Sequence, residues 1–219
     1  RRSAQPSVQA SDALAEILYA GTIYGTSLLG TVETLQGIDR QDILSAAEKQ
    51  ISPSGAALVL EGDRQPVRAR EMVSETFGDW QGDPIPSPPS VDAPALDGHR
   101  VTLVDRPEAP QTEIWLGQAG LPKGHPDRPA LSVLNSILGG KFTSRLILNL
   151  RESLGITYGV SSSFSQRRGP GPFVVAASVD SDAAAVAIEE ILAEIRRLQD
   201  ELVTEEELAD TQSYLIGIF

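Results

Sequence analysis

The chain has 219 residues, 41% of them hydrophobic, which is enough to bury a core in one large or two small domains and too apolar for a disordered tail. Its 18 Lys and Arg stand against 30 Asp and Glu, and the net charge of −12, with no basic cluster to offset it, sets aside a nucleic-acid-binding role. The absence of cysteine excludes disulfides, thiol catalysis and cysteine metal sites, and suits cytoplasm and periplasm alike; no apolar run reaches the ~20 residues of a membrane span, and no signal-peptide pattern is visible.

Residues 1–10 read as irregular, after which Ser11 or Asp12 can cap a short helix carrying Leu14, Ile17 and Leu18. Residues 22–38 read as loop. Asp39 then caps a second helix lined by Ile43, Leu44, Ala47 and Ile51, and SPSG at 52–55 stops it. The apolar run AALVLE at 56–61, bounded by turn residues, predicts a buried strand. From about Pro66 a third helix carries Ala69, Met72, Val73, Phe77 and Trp80 at helical spacing. Pro84, Pro86, Pro88, Pro89 and Pro94 then predict an extended linker over 81–98 and a domain boundary there.

Strands are expected at about 100–105 (RVTLVD) and 112–118 (TEIWLGQ), followed by a helix over about 128–138. The next stretch, LGGKFTSRLILNLRESLGITYGVSSSF at 138–164, is the most informative. Gly139 and Gly140 permit backbone angles that other residues resist, and Thr143 or Ser144 can cap the helix that follows. Steps of 100° put Leu146, Ile147, Leu150 and Leu154 on one apolar stripe, Arg145 and Glu152 on the far side, and Arg151 at the edge. Gly155 falls just past the helix end and Thr157 to Phe164 reads as a strand, so Arg151 and Tyr158 flank a tight helix-to-strand turn and can face one space.

FVVAASV, from Pro172, predicts a strand returning across the turn at 168–171. Asp182 can cap a long helix with Ala184, Ile188, Ile191, Ile195, Leu198 and Leu202 on one face. Thr204 with Glu207 makes a capping box for a last helix carrying Leu208, Thr211, Leu215 and Phe219, still in register at the final residue, which predicts a sequence cut from something longer. The expected fold is α/β of the α+β kind. Strands near 100–105, 112–118, 158–165 and 173–179 form one largely antiparallel sheet with helices packed on one face.

The only histidines are His99 and His125, so neither H-E-x-x-H nor H-x-x-E-H exists here, and both read as exposed loop residues without a chemical role. No G-x-S-x-G occurs, and the serines at 161–163 fall in a strand. Glu189-Glu190 and Glu205 to Glu207 read as solvated helix positions, and Arg167-Arg168 as solvated loop charge. LGGKFTS lacks the spacing and ending of a nucleotide loop, and GPGPF at 169–173 is a turn before a strand. Arg151 and Tyr158 remain. Taken alone, they fit an arginine paired with a surface acid and a tyrosine with its ring in the core, or a pair turned toward a ligand.

The run at 138–164, with its glycine turn, Ser-Arg-Leu, Leu-Arg-Glu, Leu-Gly and a tyrosine seven after the arginine, resembles the second half of a pitrilysin/insulinase-type zinc metallopeptidase, the family that includes the mitochondrial processing peptidase. Residues 22–63 are similar to the end of a first family domain and VSETFGDW at 73–80 to its closing helix. RVTLVDRPEAPQTEIWLGQAG resembles the opening strands of the next domain, and TEEELADTQSYLIG its late helix. Thr22 and Ile23 stand where the family commonly has histidine and proline.

The resemblance implies a clamshell of repeated domains in which an H-x-x-E-H zinc domain faces a non-catalytic one across a chamber. It divides this chain into the C-terminal part of a first domain (1–80), a linker (81–98) and the N-terminal part of a second, non-catalytic domain (99–219). It implies no catalytic or metal-binding residue within this chain alone; zinc is expected in a catalytic domain of the same parent chain or in a partner subunit. Arg151 would bind the carbonyls of a peptide substrate, and the Tyr158 hydroxyl would support the oxyanion. The strand at 56–61 could fill, within this chain or in a neighbouring copy, the place left by the missing end of the second domain, and in the latter case a strand-exchanged dimer is a further expected partner arrangement. The alternative reading is a peptidase-derived scaffold or peptide-binding subunit without proteolytic role, which need not keep Arg151 and Tyr158 together. A self-sufficient hydrolase conflicts with the histidine count.

Overall fold

The computed structural model describes residues 5–63, 65–87, 89 and 91–218; residues 1–4 of the stretch read as irregular, Pro88 and Ser90 of the linker, and Phe219 lie outside them. In chain order the elements are α1 (Pro6–Tyr19), α2 (Val32–Gln36), α3 (Arg40–Gln50), α4 (Pro66–Phe77), β1 (Gln111–Ala119), α5 (Arg128–Asn135), β2 (Thr157–Phe164), β3 (Pro172–Asp180), α6 (Ala184–Asp200) and α7 (Glu205–Gly217). Two π-helical segments, Ser136–Gly140 and Ile147–Ser153, lie between α5 and β2. The chain divides into two compact units, Arg1–Ser27 with Ser90–Phe219, and Leu28–Pro89.

In the smaller unit, α3 starts where its capping chemistry says it should. The Asp39 carboxylate accepts the Asp42 N–H at 2.9 Å, and Asp42 accepts the Asp39 N–H at 3.0 Å. A matching Thr31–Thr34 exchange starts α2, a five-residue helix inside the stretch expected to be loop. The proline-rich run is tied down at its beginning. Buried Ser52 donates its Oγ to the Asp83 carbonyl at 2.6 Å, and the Ile85 N–H donates to Ser54 Oγ at 3.2 Å.

The strand expected at 56–61 does not form: its backbone joins no sheet, and Val59 is 87% exposed. Strand-forming residues set a conformational preference, but a strand requires a second backbone to take up its N–H and C=O groups.

The larger unit contains a three-stranded antiparallel sheet in the order β1–β3–β2. Pairing of Leu116 and Ser162 with Val175, and of Ile114 and Val160 with Ala177, sets one face of the sheet. Alternation then turns Phe173, Val175, Ala177 and Val179 into a core completed by Leu138, Leu146, Ile147 and Leu150 from the helical stretch and by Ala187 and Ile191 from α6. Three of the four expected strands are present. RVTLVD at 100–105 is not one of them, for the same reason as 56–61: among the described residues it has no paired neighbour, and Leu103 is 88% exposed.

Several local boundaries also differ. α1 begins at Pro6, whose ring suits the first helical position, so residues 6–10 are helical and Ser11 and Asp12 lie inside the helix. α6 begins at Ala184, after a 3₁₀ turn at Ser181–Ala183, with no side-chain cap from Asp182. It ends at Asp200, which leaves Leu202 outside the apolar stripe.

Arg167 is not a solvated charge. Its guanidinium lies 5.4 Å from the Tyr19 ring and 4.6 Å from the Tyr24 ring, while the Tyr19 hydroxyl donates to the Pro170 carbonyl and the Gly169 N–H donates to the Tyr24 hydroxyl. Burial pushes the Tyr19 phenol above its ordinary range, which keeps it a donor. Among the described residues no helix is long and apolar enough to cross a membrane.

Candidate functional site

The two glycines that end the π-helical segment Ser136–Gly140 act through close approach. A Cβ on Gly139 would lie 2.7 Å from both the backbone nitrogen and the Oγ of Ser162 in β2, and one on Gly140 would lie 2.5 Å from Asn135 Nδ2. With hydrogen in those places, the helix end lies directly against the strand, and Ser162 Oγ donates to Asn135 Oδ1 at 2.8 Å.

The next helical stretch starts as the Leu148 N–H reaches the Ser144 carbonyl, then widens. The Leu154 N–H bonds the Asn149 carbonyl five residues back, and the Ile156 N–H bonds that of Leu150. Such widened turns are rare in helices and recur at functional sites. They break the 100° step: Leu146, Ile147 and Leu150 face the core as expected, whereas Leu154 is exposed. Gly155 adopts φ 64°, the left-handed conformation that turns the chain into β2.

This turn brings together the two residues singled out in the sequence and adds a third. The Arg151 guanidinium lies 5.4 Å from the Tyr158 ring centroid and 4.8 Å from that of Phe142. Arg151 Nε is 3.5 Å from Glu152 Oε1, a surface pairing. Tyr158 does not bury its ring: the residue is 85% exposed, and its hydroxyl bonds no described residue. Phe142 is 68% exposed. A partly covered cation near two outward aromatic rings, with a hydroxyl at hand that bonds no described residue, can donate to carbonyl or carboxylate oxygens.

Long-range polar contacts hold the frame of this cluster. Arg145 donates from Nε to Glu207 Oε1 at 2.8 Å and from Nη2 to Oε2 at 2.6 Å. Lys141 Nζ donates to Thr211 Oγ1 at 2.8 Å, and that buried hydroxyl donates to the Glu207 carbonyl. Arg145 therefore does not sit on a solvent face, and Glu207 makes only half of a capping box: its N–H takes Thr204 Oγ1 while its carboxylate pairs with Arg145. The Arg145 guanidinium holds the Glu207 carboxyl below its ordinary range, and Glu207 in turn raises Arg145. On the other flank, Asn149 Nδ2 donates to Glu190 and to buried Glu194 of α6. These partners are distant in sequence, so nothing local announced them. Phe142 did leave one signal, a large apolar side chain in an otherwise polar turn.

No group of three or more His, Cys, Asp or Glu side chains among the described residues is placed to hold a metal. His99 is exposed. His125 Nδ1 accepts the Asp127 N–H at 3.2 Å and lies 3.7 Å from its carboxylate. The donor set of the described residues does not fit a zinc site.

A family model described as the peptidase M16 inactive domain matches residues 37–215. The chain is 25% identical over 206 residues to an uncharacterized zinc protease of Bacillus subtilis, covering 94% of this chain and 49% of that protein. It is 30% identical over 158 residues to one of Streptomyces coelicolor, covering 69% of this chain and 34% of that protein. The chain thus spans about half the length, or less, of the curated relatives it matches. Among solved structures, the peptidase M16 inactive domain from Pseudomonas fluorescens superposes with a TM-score of 0.90 at 24% identity, over 99% of this chain and 52% of that one. A protease from Helicobacter pylori superposes at 0.91 with 21% identity, over 100% and 54%. At these identities the structural likeness shows the fold.

Proposed function

The chain belongs to the peptidase M16 inactive-domain family, and on that premise we propose that it is the substrate-positioning portion of a zinc metalloendopeptidase. It works with a zinc-bearing H-x-x-E-H half located in the same parent chain or in a partner subunit. The observation that carries this reading is the convergence of Arg151 and Tyr158 across the turn at Gly155, with the guanidinium 5.4 Å from the tyrosine ring and the hydroxyl left free. A pure scaffold has no need for an outward tyrosine whose ring adds nothing to the core.

This chain's part in the chemistry follows from the two side chains. Arg151 donates N–H groups to backbone carbonyls of an extended peptide and fixes its register. Tyr158 donates its hydroxyl to the carbonyl oxygen under attack, an interaction that strengthens as negative charge develops there. The metal and the attacking water belong to the other half.

The test is made on the complete peptidase with its zinc-bearing half, using one internally quenched peptide chosen from a mixed-sequence library for cleavage by the wild type. Tyr158→Phe is expected to lower kcat on the order of a hundredfold, the usual loss for one oxyanion donor. Arg151→Ala is expected to raise KM more than it lowers kcat. Unchanged kinetics in both variants would return the pair to a surface ornament and favour the scaffold.

A further inference from the structure

We infer that Phe142 is a positioning residue: its ring and that of Tyr158 flank the Arg151 guanidinium and hold it in the pose that captures peptide carbonyls. The inference rests on the function proposed above and adds a residue to that site.

Phe142 has no structural reason to be large and apolar. It is 68% exposed and does not belong to the hydrophobic core of the larger unit. What it contributes is a face for Arg151, whose guanidinium lies 4.8 Å from its ring centroid, closer than the 5.4 Å to Tyr158. A guanidinium attracted to aromatic faces directs its N–H groups outward in its own plane, where carbonyl oxygens can meet them.

In the same pose Arg151 Nε also lies 3.5 Å from Glu152 Oε1, a half-exposed carboxylate whose attraction is weak and screened. Without Phe142 the long arginine side chain is free to follow that carboxylate and other rotamers, and each capture of substrate must first order it again.

The turn that carries Phe142 is fixed on both sides. Lys141, just before it, donates to buried Thr211, and Arg145, three residues after it, makes the bidentate pair with Glu207. Both anchors lie on α7, so that helix sets the position of the aromatic ring beside Arg151. An exposed phenylalanine alone would carry no meaning, since single exposed apolar residues are common. Here the exposed ring sits on a doubly anchored turn and approaches a cation that has a second ring nearby.

The experiment uses the complete peptidase and the same quenched peptide, with Phe142→Leu, Phe142→Trp and Arg151→Ala. Cation–π contacts at exposed sites correspond to a change of roughly two- to fivefold. Phe142→Leu is therefore expected to raise KM by about that factor with kcat nearly unchanged, and Phe142→Trp to restore it. Independently of turnover, the Arg151 Nε–H resonance, shielded by the neighbouring rings, should move downfield in Phe142→Leu before any peptide is added, and return in Phe142→Trp. If Arg151→Ala raises KM while Phe142→Leu leaves both KM and the resonance at wild-type values, the positioning role is wrong and the capture role of Arg151 stands. If Arg151→Ala itself leaves KM unchanged, the capture role falls and this inference falls with it.

Discussion

Residues 100–105 and residues 138–180 look alike to a reader of strand and helix propensities, yet the fold treats them oppositely. Leu150, in the π-helical stretch, is 0% exposed and packs into the core, whereas Leu103, in RVTLVD, is 88% exposed in a segment with no paired neighbour. The same contrast separates β3, central in its sheet, from AALVLE at 56–61. Composition gives all four segments an apolar character. What distinguishes the buried pair is a second surface: β3 has a strand on each side, and the helical stretch has the sheet beneath it and α6 and α7 bonded to its flanks.

The largest expected effect breaks or confirms that contrast directly. Leu150→Ala removes a fully buried side chain and should cost about 2–5 kcal/mol in a denaturation experiment on the complete protein. Leu103→Ala should stay within about 0.5 kcal/mol. A comparable loss from Leu103→Ala would mean that 100–105 is covered in solution, and the contrast between the two leucines would collapse.

The next effect tests whether the frame depends on its long-range clamp. Glu207→Gln keeps the shape but removes the charge facing Arg145, and hydrogen bonds to charged groups contribute about 1.5–3 kcal/mol. The loss should be visible near neutral pH. Because the folded Glu207 carboxyl titrates below its unfolded value of about 4.3, its contribution is complete above that pH and disappears as pH falls through the lower folded value. Wild type and Glu207→Gln should therefore converge in acid. If they remain equally far apart at pH 7 and in strong acid, the charge is not what the clamp uses.

The clamp also marks the limit of sequence reading. The glycine turn, the apolar stripe through Leu146, Ile147 and Leu150, the strands at 157–164 and 172–180 and the proximity of Arg151 to Tyr158 were legible because each follows from spacing of a few residues. Glu207 was not. Its position fits a capping box, and only the tertiary fold shows that Arg145 draws the carboxylate away from the cap. Leu154 was misplaced because the 100° step holds for an α-helix and the chain here runs through π turns. The strands expected at 56–61 and 100–105 failed on information no local window contains, the presence of a neighbouring backbone.

The smallest expected effect is the most discriminating for function. Tyr158 belongs to the well-packed region by sequence but to the outward set by exposure, at 85%, and its hydroxyl bonds no described residue. Tyr158→Phe therefore removes no hydrogen bond to a described residue and little buried area, and its unfolding midpoint should match wild type within about 0.5 kcal/mol. Leu150→Ala sits only eight positions earlier and should be among the costliest changes in the chain. If Tyr158→Phe also destabilised the protein by 1 kcal/mol or more, the hydroxyl would have a structural partner, and any fall in turnover would lose its meaning as a transition-state effect. A neutral midpoint together with a large loss of kcat would place the hydroxyl's contribution in the reaction rather than in the fold, because losing an interaction that the folded protein does not use for stability can lower kcat only if that interaction is made as charge develops on the substrate.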